Sequence, residues 1–275
     1  MTTRPSRRHV LAAITATAAG AAVIGESAHS AYAAAEPQAK DKTMPPEYYE
    51  LRALRLRRGP MAKRVDQYLK EAFIPAARRA GCGPIGAFNI SIGQGNPTTY
   101  VLIPHPTLES FVELPDKLGG DADYKTAAAE FRALPATDPP YVNHEVQLLR
   151  AFPHLPRLEV PEAHPRIFEL RTYRSHNHSA GLKKIEMFDT GGEIALFRRL
   201  GLTPVFFAQA LTGSHLPCLT YMLTYPDLAT REKNWNAFRT DPEWKKLSTT
   251  PGYTDAEIVV DIENQILAPT VYSQV

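Results

Sequence analysis

Cysteine is scarce: Cys82 and Cys218 are the only two in 275 residues. Two thiols cannot build the dense disulfide framework of a small secreted domain, and they read as unpaired and semi-buried. Neither sign of charge dominates, with 31 Lys and Arg against 29 Asp and Glu. Residues 1–33 hold three of those arginines and one glutamate, so the remainder is formally neutral. That balance excludes a nucleic-acid binder, which needs a clustered basic surface to displace counterions. It excludes a polybasic membrane-surface module for the same reason. The chain also lacks Cys-x-x-Cys, His-Glu-x-x-His, Gly-x-Ser-x-Gly and P-loop motifs. Gly81-Cys-Gly-Pro-Ile-Gly86 has dinucleotide-loop spacing, but it follows a helical pattern and precedes a strand, the reverse of what such a site needs. The apolar run from Val10 to Ile24 is too short and too rich in alanine to span hydrocarbon well.

What is present at the start is an address. Ser6-Arg7-Arg8-His9-Val10-Leu11 resembles a twin-arginine translocation motif, and Ala31-Tyr32-Ala33 fits a small-x-small cleavage site. Residues 1–33 are therefore expected to be a signal peptide, with Arg7 and Arg8 as its signature and cleavage after Ala33. The twin-arginine machinery is the expected partner, and the periplasm or the exterior is the destination. Residues 34–47 read as a disordered leader, and the mature chain should not span a membrane.

The remainder is organised around Arg166-Ile-Phe-Glu-Leu-Arg-Thr-Tyr-Arg174, which echoes Tyr48-Tyr-Glu-Leu-Arg-Ala-Leu54. Each stretch alternates like a strand and is followed by a helical pattern. In the first half a helix is expected over 61–80, a hairpin from 85–92 and 98–103, helices over 107–118 and 123–134, and a strand over 142–149. The second half repeats that order, with helical pieces near 182–188 and 194–200, a hairpin from 205–211 and 218–224, a helix over 228–238, a short one at Asp241, and a closing strand over 256–262. Three paired landmarks support the repeat. Tyr100-Val-Leu102 answers Tyr221-Met-Leu223, and Asp121 to Lys125 answers Asp241 to Lys245. Tyr141 with Glu145-Val146 answers Tyr253 with Glu257-Ile258, which puts an insertion in 126–140.

The order is β-α-β-β-α-β twice, the ferredoxin-like unit. We divide the chain into a first unit at 48–151, a proline-rich linker at 152–165, a second unit at 166–268 and a tail at 269–275. A four-stranded sheet with helices on one face leaves its other face bare, and the sibling sheet is the nearest cover. The expected class is thus α+β: tandem βαββαβ units packed sheet to sheet as an intramolecular dimeric α/β barrel.

Phe168-Glu-Leu-Arg-Thr-Tyr173, Gly201 to Pro204, and the run Trp235…Phe238…Asp241-Pro-Glu-Trp244 resemble the NIPSNAP family. The second unit carries the likeness across 166–247. The first is degenerate, keeping Tyr49-Glu-Leu-Arg52 but having Asp121-Ala-Asp-Tyr124 in place of Asp-Pro-Glu-Trp. The resemblance implies the dimeric α/β-barrel superfamily, which includes small monooxygenases and haem-handling proteins with pockets between sheet and helices. It supplies no catalytic residues.

Site candidates come from the second unit. Glu169, Arg171 and Tyr173 share one strand face, and His176 and His178 follow it. His215 in the facing hairpin is the remaining histidine worth testing as their partner. These six are the candidate ligand-binding residues, with Arg171, Tyr173 and His176 as catalytic candidates. No metal site is indicated, and a haem enters only through superfamily analogy. Three functions stay open: binding of a small apolar or aromatic ligand in a sheet–helix cleft, a cofactor-independent or haem-dependent oxygenase or isomerase, and a protein-interaction scaffold. A homo-oligomer is compatible with all three.

Overall fold

A computed structural model describes residues 44–162 and 164–275. The expected signal peptide, with Arg7, Arg8 and Ala33, and the expected leader up to residue 43 lie outside the described residues.

The first unit runs β1 (Tyr48–Arg55), α1 (Pro60–Tyr68), a π-helical turn (Leu69–Phe73), α2 (Ile74–Arg79), β2 (Gly86–Ile92), β3 (Thr98–His105), α3 (Leu108–Gly120), α4 (Ala122–Ala127), α5 (Ala129–Arg132) and β4 (Asn143–Ala151). The second runs β5 (Ile167–Arg174), α6 (His178–Asp189), α7 (Glu193–Arg199), β6 (Thr203–Ala210), β7 (Cys218–Tyr225), α8 (Leu228–Thr240), α9 (Pro242–Ser248), α10 (Asp255–Ile258) and β8 (Asp261–Pro269). Short polar residues start several of the helices, where their side chains satisfy free N–H groups. Thr107 caps α3, Asn177 caps α6, Asp227 caps α8, and Asp241 caps α9 with Pro242 following it.

The strands form one closed antiparallel barrel in the order β1-β3-β2-β8-β5-β7-β6-β4. Each unit contributes four adjacent strands in the ferredoxin-like order. The tandem-barrel expectation holds, and the structure adds how closure is made. The two sheets meet edge to edge, β2 pairing with β8 and β4 with β6, so no hydrogen-bonding edge is left open. Among the described residues no helix is long and apolar enough to cross a membrane.

Strand alternation sorts side chains into two layers. Tyr49, Leu51 and Ala53 of β1, with Phe168 and Leu170 of β5, point into the barrel and join one core. Glu50, Arg52 and Leu54, and likewise Glu169, Arg171 and Tyr173, point outward beneath the helices. Two further cores fill those helix layers, one per unit.

Two expectations require correction. Residues 255–258 form α10 rather than the start of a strand, because Thr254 and Glu257 make a reciprocal capping box that nucleates a helical turn. The closing strand is Asp261–Pro269, so Glu263, not Glu257, answers Glu145, and most of the inferred insertion disappears. The second correction concerns register. Arg52 pairs with Val101, and Arg171 pairs with Tyr221, so Val101 answers Tyr221 and Tyr100 answers Thr220. A one-residue slip moves a side chain to the other face of the sheet. Tyr100 consequently lies inside the barrel, whereas Tyr221 lies under the helices. The segment beyond β8 runs back along β2, with Thr270 N–H donating to Ala87 and Gln274 N–H to Ile85, and buries Val275 in the barrel core.

Candidate functional site

Beneath the second unit's helices Glu169 is fully buried. A buried carboxylate is tolerated only when its lone pairs are occupied, and here four donors reach it. Arg171 lies at 3.0 Å, Arg231 at 2.5 Å, the Trp235 indole N–H at 2.7 Å and the Tyr225 hydroxyl at 3.2 Å. Burial alone would raise this carboxyl's pKa, but the Arg231 hydrogen bond, the Arg171 charge and Trp235 hold it below its ordinary range. Arg171 donates its other end to the Tyr173 hydroxyl at 3.0 Å and stacks 4.7 Å over Trp235. Phe188, Phe197, Phe207, Tyr221 and Phe238 fill the space around them, with Phe207 and Tyr221 stacked at 4.6 Å. This arrangement packs the layer between sheet and helices.

Three sequence candidates, Glu169, Arg171 and Tyr173, are therefore brought together, but inside a packed layer. His176 and His178 are exposed at the start of α6. His215 sits apart on the β6–β7 turn, beside Ser214, at the mouth of the barrel. The structure does not join these histidines to the buried trio. Among the described residues no cluster of three or more His, Cys, Asp or Glu could hold a metal.

The first unit repeats the buried pair with different surroundings. Arg52 donates to Glu50 at 2.6 Å, and His105 Nε2 lies 3.3 Å from the other carboxylate oxygen. Burial opposes ionisation of Glu50, but His105 and Arg52 together keep its pKa low. The other ring nitrogen, Nδ1, faces Cys82 Sγ at 3.5 Å and Ser110 Oγ at 3.3 Å. Burial, with Glu50's charge second, raises the Cys82 thiol's pKa, so it remains a protonated donor rather than an activated nucleophile.

The difference that matters is at the other end of Arg52. Its neighbour across one strand position is Leu54, where the second unit has Tyr173, and its cross-strand partner is Val101, where the second unit has Tyr221. Counting from the helix caps, Pro115 of α3 stands where α8 has Trp235, and Phe111 stands where α8 has Arg231. With those large polar aromatics gone, a cleft of about 350 Å³ opens between sheet and helices. Its walls include Leu54, Leu69, Tyr68, Phe131 and Tyr141, with Arg52, Arg132 and His144 as its basic groups and no carboxylate in the lining. Tyr68 and Phe131 stack at 4.0 Å with rings 6° apart, and the Tyr68 hydroxyl is fixed by Tyr124 at 2.8 Å. Among the described residues the two Nη groups of Arg52 make no hydrogen bond, and the guanidinium lies 4.6 Å over Phe73. His144 stands at the solvent edge, where partial desolvation and then Arg52's charge lower its pKa.

A haem would need an imidazole nitrogen free to ligate inside this cleft. Both nitrogens of buried His105 are engaged, and His144 is exposed at the edge, so these residues do not fit a haem. No motif marks the cleft residues in the sequence, and the family likeness lies in the second unit. The signal that marks them is the loss of Tyr173 and Tyr221 counterparts, legible only in the correct register.

No curated protein matches the chain. Among solved structures it is similar to a protein provisionally named a monooxygenase from Lactobacillus acidophilus NCFM, at 8% identity over 82% of this chain and 94% of that one, TM-score 0.54. A protein of the same provisional name from Fusobacterium nucleatum subsp. nucleatum gives 9% identity, 82% and 93% coverage, and a TM-score of 0.53. Such likenesses speak to the fold alone. An uncharacterized NIPSNAP-like domain protein from Burkholderia xenovorans covers 40% of this chain and 90% of its own at 23% identity, TM-score 0.35. The NIPSNAP family model matches residues 168–274, which run from β5 of the second unit to the segment beyond β8.

Proposed function

We propose that the protein binds a small planar aromatic molecule carrying an anionic group, in the sheet–helix cleft of its first unit. The observation that carries this reading is Arg52: its Nε is held by Glu50, its Nη groups make no hydrogen bond among the described residues, and it lines a cleft with aromatic walls and no carboxylate. A guanidinium held along one edge is pre-oriented to take a carboxylate or phenolate on the other. The Tyr68, Phe131 and Tyr141 rings supply stacking surface, and the cleft's volume falls within the range of small-molecule sites. The second unit's sheet–helix layer is filled, so one ligand per chain is expected at this kind of site.

The test is calorimetric titration with benzoate, salicylate and naphthoate, beside the matching neutral amides. Acids should bind and amides should bind at least tenfold more weakly. Leu54→Tyr, which installs the second unit's filler, should abolish binding while the protein still unfolds in one cooperative thermal transition. Equal affinity for acids and amides, or full binding by Leu54→Tyr, would overturn the reading.

Conversion of the ligand is the second reading. It is favoured by a low-pKa imidazole, His144, sharing the cleft with Arg52, since a neutral base beside a fixed cation suits deprotonation of a phenol. Oxygen uptake by the protein with a bound naphthol would support it, and stable, unconverted naphthol would remove it. Export is proposed on the Ser6–Leu11 and Ala31–Ala33 segments alone. Replacing Arg7 and Arg8 by lysine should retain a fused folded reporter in the cytoplasm, and unchanged export would refute the pathway.

A further inference from the structure

A second cavity, independent of the cleft, lies inside the barrel. An eight-stranded barrel has an interior just wide enough for its own side chains to fill. One half of this barrel obeys that rule, with Tyr49, Phe88, Phe168, Phe206 and Met222 closing it. The other half does not. Beyond Leu51 and Leu170 the inward positions turn polar, and about 690 Å³ stays open to one mouth.

The polar groups at that mouth follow the internal repeat. Arg55 of β1 reaches Glu145 of β4 at 3.3 Å, and Arg174 of β5 reaches Glu263 of β8 and, at 2.8 Å, Asp261. Arg55 and Arg174 end equivalent strands, and Glu145 and Glu263 occupy equivalent registers, opposite Ala53 and Thr172 two residues earlier on those strands. Each guanidinium is thus matched by carboxylate, Arg55 by Glu145 and Arg174 by Glu263 with Asp261 as a further carboxylate, and the rim offers its donors and acceptors already paired. A charged head placed there would have to break one of those pairs and face the like-charged member. A neutral head with a hydroxyl can donate to a carboxylate and accept from a guanidinium without separating them. Deeper in, Leu51, Ala53 and Leu170 present a wall suited to an alkyl chain, and the Cys218 thiol, cross-strand partner of Arg174, lines the cavity nearer the mouth.

We propose that the barrel lumen is a second binding site, for an uncharged amphiphile whose apolar chain enters toward Leu51 and Leu170 while its hydroxyl-bearing head sits between the Arg55–Glu145 and Arg174–Glu263 pairs. None of these residues lines the first-unit cleft, so the two sites stand or fall separately.

Cys218 lines the lumen, and Cys82 lies in the helix layer of the first unit, which makes the two thiols probe and internal control. The experiment follows alkylation of both cysteines in the mature protein by N-ethylmaleimide, resolved by peptide mass spectrometry. The additives are 1-decanol, decanoate and decylamine at equal concentration. The expected result is that 1-decanol slows Cys218 at least tenfold, that the two charged analogues do so far less, and that Cys82 is unaffected. Because each buried methylene contributes about 0.8 kcal/mol, 1-octanol should need roughly tenfold more to give the same protection. The variant Glu145→Gln with Glu263→Gln alters only exposed side chains and leaves the mouth positive, so its preference should move from 1-decanol to decanoate. Equal protection by all three heads, parallel slowing of Cys82, or an unmoved preference in the double variant would overturn the proposal. So would a Cys218 that does not react at all in the free protein, since the lumen would then be closed.

Discussion

Arg171 donates to the hydroxyl of Tyr173 at 3.0 Å, and that single contact separates the two halves of the molecule. Its counterpart Arg52 keeps the carboxylate partner but meets Leu54 in place of the tyrosine. The second unit spends its polar aromatics on closing the space between sheet and helices. The first leaves the same cation facing a cleft.

Tyr173→Leu transplants the first unit's residue into the second. It removes a buried ring that meets Phe188 edge to face at 5.7 Å and leaves both Arg171 and Tyr221 short of a partner. The expected loss is about 2–4 kcal/mol of unfolding free energy, read from urea denaturation. Leu54→Tyr, by contrast, should leave stability within about 1.5 kcal/mol, because a cleft is there to receive the ring. Equal losses from the two exchanges would show that the halves are packed alike.

Much of the architecture was legible from residues. Helix starts expected at 107, 228 and Asp241 lie within one residue of α3, α8 and α9, because Thr107, Asp227 and Asp241 cap them by backbone chemistry that is local in sequence. The closing strand was misplaced because Glu257-Ile-Val-Val260 looks extended, while the capping box that makes Asp255–Ile258 helical depends on one reciprocal pair of hydrogen bonds. The site was less legible still. Whether Tyr100 or Val101 answers Tyr221 is a matter of one residue, and cross-strand pairing decides it, not spacing along the chain. The candidates Glu169, Arg171 and Tyr173 were right about which polar groups share a face, and silent about the aromatics that seal them in.

Trp235→Phe isolates one of the four donors to Glu169. Phenylalanine keeps most of the ring packing against Phe197 and Phe238 but cannot replace the 2.7 Å N–H contact. The cost should be about 1–3 kcal/mol, that of a hydrogen bond to a buried charge. It should shrink when Glu169→Gln is present in the same chain, which a double-mutant cycle measures directly. Additive losses would mean that the indole N–H is not what matters.

His105→Leu tests the equivalent role in the first unit. The imidazole bridges Glu50 on one side and Cys82 with Ser110 on the other, all within the core. Leucine fills the volume but leaves a carboxylate supported by Arg52 alone. We expect a loss of about 2–3 kcal/mol that is largely recovered by adding Glu50→Gln, since the uncompensated charge is then gone. Failure of that recovery, in paired denaturation curves, would assign His105 a packing role only.

Glu193 sets the pH response of the second unit's helix layer. It is 2% exposed on α7, and burial raises its pKa from 4.5 to about 7 even with Lys184 Nζ at 3.5 Å. Between those two values the folded protein holds a proton that the unfolded chain has released. Stability is therefore complete below the unfolded pKa and declines as pH rises through the folded one, by a total on the order of 3 kcal/mol. Glu50 and Glu169 act in the opposite direction. Their pKa values are depressed in the folded state, so their contribution is present above the ordinary carboxylate range and is lost as pH falls through the folded values. The two effects together place maximal stability near the lower end of the Glu193 window. Unfolding free energies at pH 5 and pH 8 should differ in the native sequence and nearly coincide in Glu193→Gln, which carries no titrating proton at that site. A variant that keeps the full difference would show that another group is responsible for the slope.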